Sequence, residues 1–206
     1  MLRLHGRRRS NYFNAVKAVL LEKGIDFEEV IEPVPPTESF LKLSPMAKIP
    51  CLVTDDGPLT ETMTIIHYLE SLHSDPLSAP ADAYRRAKLD EVAKCLELYI
   101  EWAARRGFGV LRGETVSDET KAGVKEALAQ AAPAVAALTD FDPWIGGSEF
   151  TWADIFGYFM FIYAIPSARA NADMDLLASI PGAADWFARV GERASVAQVL
   201  AESKAG

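Results

Sequence analysis

Hydrophobic and polar positions follow two different rhythms along this chain. Up to about residue 74, short β-like runs alternate with helical ones. Leu2–His5 reads as a strand, and Phe13, Val16, Val19 and Leu20 recur at helical spacing within Asn11–Lys23, with Gly24 as a stop. Phe27–Ile31 reads as a second strand, so the spacing predicts a βαβ unit with a right-handed parallel crossover. Glu32-Pro-Val-Pro-Pro36 breaks the pattern and Thr37–Leu43 predicts a short helix. Cys51–Val53, the turn Asp55-Asp-Gly57 and Leu59 predict a hairpin. A helix follows over Thr62–Leu72, with Ile65, Ile66 and Leu69 on one face. Ser74–Asp82 holds two prolines and no periodicity, and reads as a linker. Beyond it the pattern is helical and Ala-rich, over 83–106, 117–139, 152–168 and 182–203 with a break near Ser195. A small α/β domain (1–74) followed by an all-helical domain (83–206) is the expected organisation.

Composition narrows the class without naming a function. The chain has 206 residues, half of them hydrophobic, which excludes a disordered or collagen-like chain. At this length about 70% of the unfolded surface can be buried, so folding needs neither disulfides nor metal. Twenty-one basic against 29 acidic residues give a net charge of −8, a poor match to nucleic acid, whose affinity comes largely from Lys and Arg on phosphates. Met1-Leu-Arg-Leu-His-Gly6 lacks the apolar core of a secretory signal. The apolar stretch Ile155–Ala168 is shorter than the ~20 residues a membrane span needs and fits a buried helix, so no membrane partner is expected. Two cysteines, Cys51 and Cys95, form no disulfide framework and point to a reducing cytoplasm. Both read as small, inert hydrophobes. His5, His67 and His73 show no ligand spacing, so no metal is expected.

Four segments carry a resemblance. They are Ser10-Asn-Tyr-Phe-Asn-Ala-Val-Lys17 running into Leu20-Leu-Glu-Lys-Gly-Ile25, Leu43-Ser-Pro-Met-Ala-Lys-Ile-Pro-Cys-Leu52, Leu59-Thr-Glu-Thr-Met-Thr-Ile-Ile66, and Thr151-Trp-Ala-Asp-Ile155. In this order and spacing, together with Pro181-Gly-Ala-Ala-Asp-Trp186 and Arg193-Ala-Ser-Val196, the chain resembles the cytosolic glutathione S-transferase superfamily, in its serine-type, theta- or beta-like bacterial form. The resemblance implies a thioredoxin-like N-terminal domain, an all-α C-terminal domain, a cytoplasmic homodimer, a role in detoxification, and glutathione as co-substrate bound on the first domain.

Each motif has an ordinary role and a chemical one. Ser10 sits where a strand meets a helix and suits an N-cap. The same hydroxyl, with the free N–H groups of a helix N-terminus, stabilises a nearby anion. A thiol has pKa ~8.5 when free, and lowering it by two units requires about 2.7 kcal/mol, the size of a hydrogen bond to a charged group. The resemblance implies that Ser10 activates the glutathione thiol. The family usually has proline within a residue or two of this serine, whereas Asn11 and Tyr12 stand here; Asn11 ranks second as thiol donor, and the Tyr12 phenol is a third alternative. At Ile49-Pro50 the resemblance implies a cis proline that turns the Ile49 backbone toward the cysteinyl residue of glutathione, as a short strand would. It also implies that Lys48 meets the glycyl carboxylate, and that Thr62 and Glu61 take the γ-glutamyl carboxylate and its α-amino group. Taken alone, Lys48 reads as a solvated charge and Glu61-Thr62 as helix-capping residues. Thr151-Trp-Ala-Asp154 reads as a capping box with a folding role.

Arg7-Arg8-Arg9 departs from the acidic average just before Ser10. Most such runs are solvated faces. The sharper expectation is that at least one of these arginines contacts an anionic group of glutathione or co-substrate. A co-substrate pocket for a small hydrophobic or anionic electrophile is expected to use Arg9, Tyr12, Tyr99, Trp102 and Phe108, with Tyr158, although aromatics of this kind equally suit a core. Two alternatives to conjugation stand beside it: a glutathione-dependent disulfide-bond oxidoreductase or peroxidase on the same site, and a non-catalytic transferase-like binding module.

Overall fold

The structure, a computed structural model, describes residues 1–72 and 80–205. His73 and most of the expected linker, residues 74–79, lie outside the described residues. The chain forms two compact units, one of Met1–Ala79 with Glu192–Gly206 and one of Pro80–Gly191.

The first unit is built on a four-stranded mixed sheet in the order β2-β1-β3-β4. Its elements are β1 (Leu2–Gly6), α1 (Asn11–Glu22), β2 (Phe27–Ile31), α2 (Glu38–Leu43), β3 (Cys51–Thr54), β4 (Gly57–Thr60) and α3 (Thr62–Leu72). β1 and β2 are parallel, joined by α1, and β3 runs antiparallel to β1 and β4, with a tight turn at Asp55-Asp56. The positions expected to face a core do so: Leu4, Leu52, Phe13, Val16, Leu20, Ile65, Ile66 and Leu69 are fully buried. Burying each of the larger side chains is worth roughly 1.5–3 kcal/mol. Gly6 ends β1, and a Cβ there would lie 2.2 Å from the Phe13 ring of α1. Only glycine fits that contact without displacing the buried ring.

The named elements of the second unit are all helical among the described residues. The unit contains α4 (Ala83–Cys95), a π-helical stretch (Leu96–Glu101), α5 (Trp102–Arg105), a 3-10 stretch (Phe108–Arg112), α6 (Asp118–Leu138), α7 (Trp152–Ala172) and α8 (Ala183–Gly191). α7 packs against all the other helical segments of its unit. Every residue from Trp152 to Phe161 is buried, the signature of a helix apolar on all sides and enclosed by others. No helix among the described residues is long and apolar enough to cross a membrane.

Three expectations shift. The segment expected as one helix over 83–106 contains the π-helical stretch, which periodicity cannot separate from α-helix over so few turns. α7 runs past the end of the apolar stretch to Ala172, because buried Asn171 donates to the Gly107 and Ser167 carbonyls at 3.1 and 2.9 Å and so keeps a polar last turn inside the unit. The final break falls at residues 192–193, and α9 (Ala194–Ala205) belongs with the first unit. There Val196 and Val199 are buried, Arg193 and Ser195 bond to Glu22, and Lys17 pairs with Glu202. A helix is assigned to a unit by what covers its apolar face, which local pattern does not record.

Candidate active site

The sheet register explains how distant segments meet. His5 pairs with Cys51 across β1 and β3, and Cys51 pairs with Thr60 across β3 and β4. Three neighbouring strands therefore have their ends in one row. From that row leave the loop to Ser10, the entry Lys48-Ile49-Pro50, and the start of α3 at Glu61-Thr62. One end of the sheet thus gathers Ser10, Lys48, Ile49, Pro50, Glu61 and Thr62.

Ser10 is the N-cap of α1, in extended conformation, and its Oγ accepts from the Phe13 N–H at 3.3 Å. The hydroxyl proton has no acceptor among the described residues. The first turn of α1 contains no acidic side chain, so no carboxylate of its own offsets the helix N-terminus. Asn11 is buried and Tyr12 half-buried, and each already has an interaction partner in the chain.

The Ile49–Pro50 peptide bond is cis. Ser44 braces the turn before it: its hydroxyl donates to the Lys48 carbonyl at 2.7 Å and accepts from the Lys48 N–H at 3.1 Å. Ile49 packs on the buried cluster of Phe40, Cys51 and Val53. The Lys48 side chain is exposed and makes no ion pair among the described residues.

Glu61 adopts a left-handed backbone, φ +69°, which costs a residue with a Cβ roughly 1–2 kcal/mol. Its carbonyl accepts from the Ile65 N–H at 3.0 Å, so it caps α3, and Thr62 is buried in the first turn. The Glu61 carboxylate is exposed and has no partner among the described residues. This strained conformation is a feature that sequence reasoning missed. A non-glycine residue directly after a strand and before a helix was its only trace.

The arginine run divides. Arg8 Nε donates to Glu29 on β2 at 2.7 Å and a second guanidinium nitrogen donates at 3.4 Å. Arg8 is thus paired through two of its guanidinium nitrogens with a protein carboxylate. Arg9 is exposed and has a partner of its own within the chain. Among the second-unit aromatics, Tyr99 in the π-helical stretch and Trp102 at the start of α5 are more than half exposed. Phe108 is instead packed inside, beneath the Arg105 guanidinium and edge-on to Tyr163, and Tyr158 stacks on Phe187 in the core. These two rings serve packing because the helices that carry them turn them inward.

Burial pushes the Cys51 thiol up to about 11, helped by the Glu32 carboxylate, and it raises the Cys95 thiol as well. Both side chains are buried, and a thiol held protonated is a poor nucleophile.

A βαβ unit continued by a β-hairpin and a helix, with a helical unit after it, defines a thioredoxin-like domain joined to an all-α domain. A sequence profile described as "Glutathione S-transferase, N-terminal domain" matches residues 4–77. A glutathione S-transferase of Pseudomonas putida is 35% identical over 210 aligned positions, spanning all of this chain and 94% of that one. The chain belongs to the cytosolic glutathione S-transferase superfamily, a superfamily of enzymes. Among solved structures, a glutathione S-transferase from Rhodospirillum rubrum superposes with TM-score 0.79 at 25% identity, covering 97% of this chain and 92% of that one. A glutathione transferase homologue from Sulfitobacter with bound glutathione superposes with TM-score 0.81 at 20% identity, over 98% of each chain, and supports the fold alone.

Proposed function

We propose that this protein is a glutathione transferase that ionises the glutathione thiol beside Ser10 and delivers the thiolate to an electrophilic carbon. The observation that carries the reading is the row of strand ends His5, Cys51 and Thr60, from which three kinds of group are offered together. Glu61 and Thr62 fit the zwitterionic γ-glutamyl end, with the exposed Glu61 carboxylate for the ammonium and the α3 N-terminus with the Thr62 hydroxyl for the carboxylate. The Ile49 backbone beside Pro50 suits the cysteinyl peptide, as an added strand would. Lys48 suits the glycyl carboxylate. The sulfur then lies toward Ser10, whose uncommitted O–H donates to the thiolate while the N–H groups of α1 add their positive end.

In the reaction the thiol proton leaves to solvent and the sulfur lone pair forms a C–S bond. The leaving group departs with the bonding pair, or, where the electrophile is an activated double bond, its π pair shifts to the neighbouring carbon, which takes a proton from solvent. The free, buried cysteines fit a reducing cytoplasm, and a homodimeric, detoxifying role follows from the family reading.

Glutathione titrated into the protein in a calorimeter, with Glu61→Ala and Ser10→Ala alongside, tests the assignment. Glu61→Ala should weaken binding, whereas Ser10→Ala should leave binding nearly intact and lose the ultraviolet absorbance of the bound thiolate. Undiminished thiolate in Ser10→Ala would transfer the role to Asn11 or Tyr12. An aryl halide, a glutathionyl disulfide and cumene hydroperoxide assayed on one preparation separate conjugation from disulfide or peroxide chemistry, and no glutathione binding at all would favour a non-catalytic module.

A further inference from the structure

Arg8 and its partners form a closed charge network beneath the loop that ends at Ser10. Glu29 on β2 receives both guanidinium contacts of Arg8 and also the Lys17 ammonium, at 2.5 Å. Lys17, on α1, is almost fully buried and pairs in addition with Glu202 on α9. Glu202 is steadied by Gln198 at 2.9 Å. Two cations and two carboxylates balance. Burial alone would push the Glu29 carboxyl up, but the hydrogen bonds from Arg8 and Lys17 outweigh it and hold it below the ordinary range. The backbone of the loop is tied at two further points. The Arg7 carbonyl accepts from the Ser10 N–H at 2.9 Å, and the Arg8 carbonyl accepts from the Asn14 side chain at 2.8 Å.

We propose that Arg8 is a positioning residue: anchored by Glu29, it fixes the turn that presents the Ser10 hydroxyl, and it does not receive a substrate anion. The inference rests on the transferase reading for its catalytic consequence, but its structural part stands without it. A bidentate arginine–carboxylate pair specifies geometry as well as charge, and a displacement of about 1 Å at a reacting group can cost on the order of 100-fold in rate. Lys17 and Glu202 complete the device, since Glu202 keeps the buried ammonium paired if Glu29 is lost.

The test compares Arg8→Gln, Arg8→Lys and Glu29→Gln with the unmodified protein, using glutathione and an aryl halide. The anchor predicts that Arg8→Gln and Glu29→Gln each lower kcat/KM about tenfold and move the acid limb of its pH profile upward. It also predicts that the double variant is no worse than either single one, and that Arg8→Lys, which keeps the charge but loses the fork, recovers only part. Amide exchange at Ser10 should quicken in Glu29→Gln while α1 and α9 stay protected. An anion-receiving Arg8 predicts the opposite for Glu29→Gln, which frees the guanidinium: tighter glutathione binding and undiminished kcat/KM. That result, or Ser10 exchange unchanged in both variants, would overturn the inference. Absence of turnover by the unmodified protein would overturn the transferase reading instead, and the exchange comparison would still decide the anchor.

Discussion

Two helix N-termini in this molecule begin with the same device and serve different ends. α7 starts at Thr151, whose hydroxyl accepts from the Ala153 N–H at 3.3 Å, and Asp154 closes the box by accepting from the Thr151 N–H at 2.8 Å. Asp154 also accepts from the Ile145 N–H at 2.7 Å and the Trp186 indole at 2.8 Å. This end is buried, filled and neutralised by the chain's own carboxylate. α1 starts at Ser10 with one long hydrogen bond and no acid in its first turn, at the end of the sheet where the other candidate ligands converge. A hydroxyl at a helix start is therefore not informative in itself. What separates a structural cap from a candidate site is whether the protein has already supplied the anion.

The comparison breaks most visibly at Asp154. Asp154→Ala leaves three buried N–H donors without an acceptor and should cost about 3–5 kcal/mol, read by urea unfolding, with little change in turnover per folded molecule. A larger loss of turnover than of stability would make α7's cap functional after all. Its pH dependence is the next effect. Burial pushes the Asp154 carboxyl up to about 6, against the hydrogen bonds it accepts, whereas an unfolded aspartate titrates near 3.9. The folded state therefore holds the proton over that interval. The associated stability is fully present below about pH 4 and is lost as pH rises through 6, a difference of about 3 kcal/mol. The slope should vanish in Asp154→Asn, measured as unfolding free energy against pH.

Ser10→Ala should show the reverse balance. Loss of the cap costs about 1 kcal/mol of stability, while the thiolate loses up to about 2.7 kcal/mol of preference, or two units of thiol ionisation. Titrating the bound thiol spectroscopically checks it. A loss of stability alone would reduce Ser10 to the same role as Thr151. The smallest effect is expected at Glu61. Glu61→Gly relieves the left-handed backbone and should raise stability by up to about 1 kcal/mol, while raising KM for glutathione. Thermal unfolding and steady-state kinetics on one variant would show both signs.

Much of this was legible before folding was considered. The strand starting at Phe27, the hairpin turned at Asp55-Asp56 and the helix opening at Thr62 follow from period and punctuation, because local backbone preference and apolar spacing agree at those places. The candidate residues were legible too, as short segments in a fixed order. Arg8 was not. Read along the chain it is one of three like charges beside Ser10, and nothing nearby in sequence marks its partner Glu29 or the further link through Lys17 to Glu202. Phe108 and Tyr158 read like Tyr99 and Trp102, since an aromatic at helical spacing does not say which way its helix faces.

The alternation of strand and helix and the switch to an all-helical pattern can be read from the chain alone, because they depend on side-chain type and spacing. Long-range folding added the rest: His5, Cys51 and Thr60 share one row, Glu61 is held in a left-handed turn, α9 joins the first unit, and Arg8 is paired with Glu29. Each of these is a pairing between positions far apart in the chain or a backbone state imposed by such pairing, and its energy exists only once the two sides meet.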